Sequence, residues 1–117
     1  MADNFPPDLI DAQFRLHQAR AEYEALCRSL PWSVEPAKGW PGEENPHTGA
    51  VTGGREDSPG YTATQKTEVL RLRALLRELS LEVSTHPHWD SVEAEKRMEA
   101  RMALKHHPDA VRSPATV

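Results

Sequence analysis

Two stretches of the chain repeat apolar residues at alternating steps of three and four positions. The first repeat consists of Leu9, Ala12, Leu16, Ala19, Tyr23, Leu26 and Leu30. The second consists of Val69, Leu72, Leu76, Leu79 and Val83. Such spacing places each set along one side of a helix and is typical of helices that pack lengthwise against each other. The pattern predicts an all-α fold built on an antiparallel coiled-coil helical hairpin.

A specific pairing of the two helices follows from this pattern. When Leu16 lies opposite Leu79, the other facing pairs are Leu26 with Val69, Tyr23 with Leu72, Ala19 with Leu76 and Ala12 with Val83. In that arrangement Arg15 faces Glu82, and an opposite-charge pair beside the apolar contacts helps to fix the register. We therefore expect an ion pair between these two side chains.

The segment between the repeats has a different composition. All six glycines and five of the ten prolines lie in residues 31–61, where they favour turns over helix. We therefore predict a long loop rich in proline, glycine and tryptophan. Trp32 and Trp40 are unusual for a flexible linker, because such linkers contain few large aromatics. The ends of the loop are expected to fold back on the helices, with a mobile middle over residues 43–57.

Local signals mark the ends of the first two helices. The first is predicted over residues 8–30, because Pro31 stops it. The second is predicted over residues 62–84. Thr62 and Gln65 have the spacing of a capping box, in which each side chain binds the backbone N–H of the other residue.

A short third helix is predicted over residues 90–106. Asp90 is suited to cap its N-terminus, and Pro108 follows its end. The chain then divides into a flexible tail, one helical domain and a second flexible tail, at residues 1–7, 8–106 and 107–117.

Three leucines of the second helix lie outside its apolar repeat: Leu70, Leu75 and Leu81. A two-helix hairpin would expose them to solvent, which is unfavourable for a contiguous apolar surface. Two explanations stay open. Either the third helix or the Trp32 segment covers them, or they bind a second copy of the chain or another protein. Together with Trp32 and Trp40 they form the candidate interaction surface.

Charge disfavours a nucleic-acid partner. The formal net charge is −4, and the acidic excess lies in residues 1–62. The C-terminal half is richer in basic residues, but glutamates are interleaved with them, as on an ordinary solvated helix. The basic residues are Arg71, Arg73, Arg77, Lys96, Arg97, Arg101 and Lys105. They support an alternative function, that of a small DNA-associated regulatory protein.

No constellation typical of catalysis or metal binding is evident. Cys27 is the only cysteine, so neither an internal disulfide nor a cysteine zinc site can form. The histidine pairs at residues 86 and 88 and at residues 106 and 107 have no recognised metal-ligand spacing and fit turns and helix ends. We predict a non-enzymatic protein with no catalytic residue, cofactor or metal. The lack of a signal peptide or an apolar membrane span favours the cytoplasm and no membrane partner.

Several short stretches resemble small actinomycete proteins, of the streptomycete type, that have no assigned function. They are Phe5 to Gln13, Leu30 to Pro36, Asp57 to Thr62 and Thr85 to Trp89. The resemblance implies a bacterial, cytoplasmic origin and a hairpin with a tryptophan-proline loop, and it implies no activity. From the residues themselves we predict a helical protein–protein interaction module that binds itself, as a homodimer, or another protein.

Overall fold

The computed structural model describes residues 4–111 of the chain. It is mostly helical, with one small two-stranded sheet. In chain order the elements are α1 (Pro7–Ser29), β1 (Glu43–Glu44), β2 (Val51–Thr52), α2 (Ala63–Ser84), two 3₁₀ helices (Pro87–Ser91 and Ala94–Lys96) and α3 (Arg97–Lys105).

The start of α2 is fixed by its capping box. Thr62 Oγ1 accepts a hydrogen bond from the backbone N–H of Gln65 at 3.1 Å. The Gln65 side chain in turn accepts from the backbone N–H of Thr62 at 2.8 Å. Both of these free N–H groups are thereby satisfied, and the predicted capping box is confirmed.

Helices α1 and α2 pack against each other and run antiparallel. At one end Asp8 meets His86, just beyond α2, and at the other Glu22 pairs with Arg71 at 3.3 Å. The expected ion pair between Arg15 and Glu82 does not occur within residues 4–111. Both helices bury side chains of their apolar repeats: Leu9, Ala12, Leu16, Ala19, Leu72, Leu79 and Val83.

Burial along the helix pair is uneven. The repeat positions nearest the connecting segment are only half-buried: Tyr23, Leu26, Leu30 and Val69. The opposite end is closed by Phe5, Trp89, Ala100 and Leu104, which join the hydrophobic core. The core therefore lies at the end of the helix pair that is remote from the connecting segment.

The third helix differs from the prediction over residues 90–106. It begins at Arg97, and two 3₁₀ helices precede it. Asp90 lies inside the first 3₁₀ helix and is not its N-cap. The N-cap is His86, whose side chain accepts a hydrogen bond from the His88 backbone N–H at 3.0 Å. The physical reason is Trp89, whose buried indole N–H donates to the Val83 carbonyl at 2.6 Å. This contact holds the turn against the end of α2.

The described parts of both predicted tails pack against the helices. Phe5 and Ala110 are buried, and the Phe5 ring lies edge-on to His88 and His107. These side chains cover apolar surface at the closed end of the helix pair. The rest of the two predicted tails, residues 1–3 and 112–117, lies outside the described residues.

The predicted loop over residues 31–61 folds on itself as a long antiparallel ribbon. Its pairs are Val34 with Tyr61, Ala37 with Ser58, Trp40 with Arg55, Glu43 with Thr52, Glu44 with Val51 and Asn45 with Ala50. The ends of this ribbon pair with each other, and Glu35 near one end also contacts Lys66 of α2, a contact with the helices of the expected kind. The middle, expected to be mobile, contains β1 and β2.

Candidate functional site

An exposed apolar stripe runs along α2 on the side opposite the core. Leu70 is 68% exposed and Leu81 is 56% exposed. They lie three helical turns apart and therefore on the same side of the helix, with the exposed Ala74 between them. We call Leu70, Ala74 and Leu81 the outer stripe. Neither α3 nor the Trp32 segment covers Leu70 and Leu81, so the expectation of internal cover is wrong for these two residues.

Leu75 does not belong to this surface. It is partly buried and packs against the hydrophobic core. Its position on the helix lies between the outer stripe and the buried side that carries Leu72 and Leu79. Leu75 therefore packs partly on the core, unlike the exposed Leu70 and Leu81.

Basic side chains follow one flank of the outer stripe. Lys66, Arg73 and Arg77 recur at the helical repeat and are exposed. Lys66 forms an ion pair with Glu35 of the ribbon at 3.2 Å. Within residues 4–111, Arg73 and Arg77 have no carboxylate at ion-pair distance. We call these three residues the basic row. Sequence reasoning missed it as a unit, although its spacing is visible in the sequence.

On the other flank of the stripe Arg71 is paired with glutamates, and Glu78 and Glu82 are exposed. The Arg71 guanidinium lies 2.9 Å from a Glu68 carboxylate oxygen and 3.3 Å from Glu22. The hydrogen bond from Arg71 lowers the pKa of Glu68, and the same contact raises the pKa of Arg71. The net positive charge beside the stripe therefore lies on the side of the basic row.

Trp32 and Trp40 form a second, separate surface on the ribbon. Their rings meet edge to face with centroids 5.6 Å apart, and the Arg55 guanidinium lies 5.2 Å from the Trp32 ring centre. Both indole N–H groups donate 2.7 Å hydrogen bonds to ribbon carbonyls, those of Glu56 and Gly53. The two residues remain 38% and 50% exposed, respectively. We call this cluster the tryptophan face.

The structure thus divides the candidate surface in two. Leu70 and Leu81 lie together on α2, and Trp32 and Trp40 lie together on the ribbon. Within the described part of the chain no hydrogen bond or ring contact joins the tryptophans to α2. Each surface therefore needs its own test.

The histidines lie in turns and at helix ends. His86 Nε2 is 2.9 Å from the Asp8 carboxylate, and His17 Nε2 is 3.0 Å from the carbonyl of Lys105 at the end of α3. Across residues 4–111, no group of three or more His, Cys, Asp or Glu side chains is placed to hold a metal ion. In the same part of the chain, no helix combines the length and apolarity that crossing a bilayer requires.

Comparison with protein families gives one match. The model of DUF8825, described as a domain of unknown function, matches residues 8–107, which is most of the chain. The chain belongs to the DUF8825 family. The DUF8825 domain here extends from the first turn of α1 to just beyond α3 and includes the ribbon. This agrees with the resemblance to proteins without an assigned function, and the actinomycete origin stays a prediction. Comparisons with curated proteins and with solved structures gave no match.

Proposed function

We propose that this DUF8825 protein is a non-enzymatic interaction module whose outer stripe binds an amphipathic helix of another protein. The observation that supports this most is the exposure of Leu70 and Leu81 on the side of α2 that faces away from the core. Complete burial of one leucine contributes about 1.5–3 kcal/mol. Leu70 and Leu81 lie three helical turns apart and provide two separate apolar anchor points for a helix that packs alongside α2.

The charge beside the stripe indicates the character of the partner. Arg73 and Arg77 of the basic row are exposed and form no ion pair within residues 4–111. A partner helix with acidic residues beside its apolar side would pair with them. Complementary charges of this kind raise the association rate and fix the register more than they add affinity.

A second copy of the chain fits this surface less well. Two α2 helices laid antiparallel, with Leu70 opposite Leu81 of the copy, bring their Arg77 side chains into neighbouring layers of the interface. Like charges placed close together disfavour such a complex. A homodimer through the outer stripe is therefore the second possibility, behind a different, acidic partner.

The proposal also covers the packing of α1 against α2 and the cellular location of the protein. We propose that α1 and α2 pack as a coiled coil, a view supported by their antiparallel contact and their three-four apolar repeats. We also propose a cytoplasmic location, supported by Cys27, an exposed cysteine without a disulfide.

The proposal is tested by capturing partners with matched variants. The tagged wild-type chain, the double variant Leu70→Glu with Leu81→Glu, and the control Val51→Glu at an exposed ribbon position are compared in extracts of the source organism. Circular dichroism verifies equal helix content. A protein that is retained by the wild type and the control but lost by the double variant supports the outer stripe. Identical capture by all three chains contradicts it.

Light scattering across a dilution series separates the two kinds of partner. The proposal predicts the mass of a single chain at every concentration. A stable mass of twice that value, reduced to one chain by Leu70→Glu, would favour the homodimer instead.

The DNA-associated alternative relies on basic residues of the C-terminal half. Exposed glutamates lie among these residues at positions 93, 95 and 99, which weakens a phosphate-binding surface. Binding to duplex DNA that falls steeply with salt would support this function. The absence of binding at low salt would eliminate it.

A further inference from the structure

A small cavity lies where α1, α2 and α3 meet, apart from both the outer stripe and the tryptophan face. Its volume is about 160 Å³. Each helix contributes residues one or two turns apart, so one side of each helix faces the opening. The lining consists of Gln13, Leu16, Arg20, Ser80, Val83, Ser84, Trp89, Arg101, Leu104 and Lys105.

The charged residues of this cavity are all positive. Arg20 comes from α1, and Arg101 and Lys105 come from α3. No aspartate or glutamate contributes to the lining. Within residues 4–111 none of the three cations has a carboxylate at ion-pair distance. In a chain with a net charge of −4, this local excess of positive charge attracts an anion.

The remainder of the lining suits a compact polar ligand above an apolar floor. Leu16, Val83, Trp89 and Leu104 are buried and form the floor, whereas the three cations are exposed. Ser80 also lines the cavity, and the serine side chain carries a hydrogen-bond donor. Sites for drug-sized ligands occupy about 300–1,000 Å³. A cavity of about 160 Å³ instead matches a single compact oxyanion.

A second cavity of about 310 Å³ adjoins the first and shares Ser84, Trp89 and Arg101 with it. This second cavity also contains Asp90 and His86. Its mixed charge makes it a poor anion site, but it provides room for the organic part of a ligand whose phosphoryl group binds in the first cavity.

We propose that the cavity between α1, α2 and α3 binds one phosphoryl group, as a small phosphomonoester or as free phosphate. Arg20 and Arg101 donate to the phosphoryl oxygens from opposite helices, because a guanidinium matches the geometry of phosphate. Lys105 adds a third positive charge. The site is independent of the outer stripe and does not require a protein partner.

The test uses the full chain and two probes, inorganic phosphate and glycerol 3-phosphate, at constant ionic strength maintained with chloride. Binding is followed by NMR titration of the backbone amides and the arginine side chains. The variants are Arg20→Gln and Arg101→Gln. Arg15→Gln is the control, because Arg15 is exposed on the same helix as Arg20 but lies outside the cavity. Circular dichroism verifies that all variants are folded.

The proposal expects saturable binding with shifts centred on Arg20, Arg101 and Lys105. Each cavity variant weakens binding about tenfold or more, through the loss of a charge-assisted hydrogen bond. The control remains within about twofold, because Arg15 does not line the cavity and its loss removes no direct hydrogen bond to the ligand. Tighter binding of glycerol 3-phosphate identifies an ester as the ligand type, and equal affinities identify free phosphate. Non-saturable shifts, or equal weakening by Arg15→Gln, overturn the site.

Discussion

At the scale of single residues, Trp89 determines how the chain closes the end of the helix pair. Its indole N–H donates to the Val83 carbonyl at 2.6 Å, and its ring lies 6.4 Å from that of Phe5. Through these contacts it joins the end of α2 to the N-terminal segment. It is also buried, in contrast to the exposed Trp32 and Trp40.

Replacing the Trp89 indole should therefore be costly. We expect Trp89→Phe to lower the free energy of unfolding by about 1–3 kcal/mol, because the Val83 carbonyl loses its indole donor and the smaller ring fills less of the buried site. Trp89→Ala should lower it by about 3–5 kcal/mol, because it removes the whole buried ring. Urea denaturation measures both. Trp40→Phe is the control at an exposed site, and an equal loss in Trp89→Phe and Trp40→Phe would contradict this role.

The contact between Asp8 and His86 predicts a pH dependence. The hydrogen bond from the His86 side chain lowers the pKa of Asp8. A carboxylate with a lowered folded-state pKa stabilises the fold above its ordinary pKa, and this stabilisation is lost as the pH falls through the lowered value. Asp8→Asn should thus reduce the melting temperature slightly at neutral pH and not at all at strongly acidic pH.

The matched control for this pair is Asp11→Asn, on the same helix and without an ion pair in the described part of the chain. It should not show this pH-dependent difference. A deficit in Asp8→Asn that persists unchanged to strongly acidic pH would mean that the carboxylate acts in another way.

At the scale of elements, the ribbon could not be derived from the sequence, whereas the helix pair largely could. The three-four repeats and the Thr62 capping box are local signals, and the structure has helices there. In the ribbon, Pro36, Pro41 and Pro59 interrupt the alternation by which strands are recognised. Its pairing depends on contacts between residues far apart in the chain, which periodicity does not reveal.

A close backbone approach at Gly39 gives a direct test of the ribbon. A Cβ atom at this position would lie 1.9 Å from the Arg55 carbonyl oxygen. We therefore expect Gly39→Ala to separate the paired backbones there and to shift the indole N–H signals of Trp32 and Trp40 in NMR spectra, with helix content unchanged. Val51→Ala, at an exposed position of the ribbon, should leave those signals in place. Unshifted indole signals in Gly39→Ala would contradict the pairing.

The attachment of α3 depends on few groups, of which His17 is one. Its Nε2 atom lies 3.0 Å from the Lys105 carbonyl, a helix-end acceptor that lacks a partner within α3. Losing one such bond should make the amides of α3 exchange about 2- to 10-fold faster. Hydrogen exchange of His17→Ala measures this, with Gln18→Ala as the control. Unchanged exchange in α3 would mean that Ala100 and Leu104 alone hold the helix.

At the scale of the whole molecule, the chain is elongated. Its radius of gyration is 20.9 Å, whereas a compact domain of similar size has about 13 Å. The hydrophobic core occupies one end of the helix pair, and the ribbon extends from the other. The outer stripe of α2 consequently remains uncovered.

Part of the candidate surface can be predicted from the sequence, and part depends on how the helices pack in the whole molecule. Leu70 and Leu81 lie outside the apolar repeat in the sequence, and they are exposed in the structure. Leu75 is partly buried, because the core contacts a wider part of α2 than a strict two-helix seam would. The cavity at Arg20 was not predicted, since it requires the relative placement of three helices.

The measurement that tests the proposed function most directly is site-specific photo-crosslinking from position 70 in the source organism. A photoreactive phenylalanine analogue replaces Leu70, and the same analogue at Val51 on the ribbon is the control. The account predicts one defined protein adduct from position 70, absent from position 51 and lost when Leu81→Glu is added. No adduct from position 70, or one that survives Leu81→Glu, would contradict the assignment of the outer stripe as the binding surface.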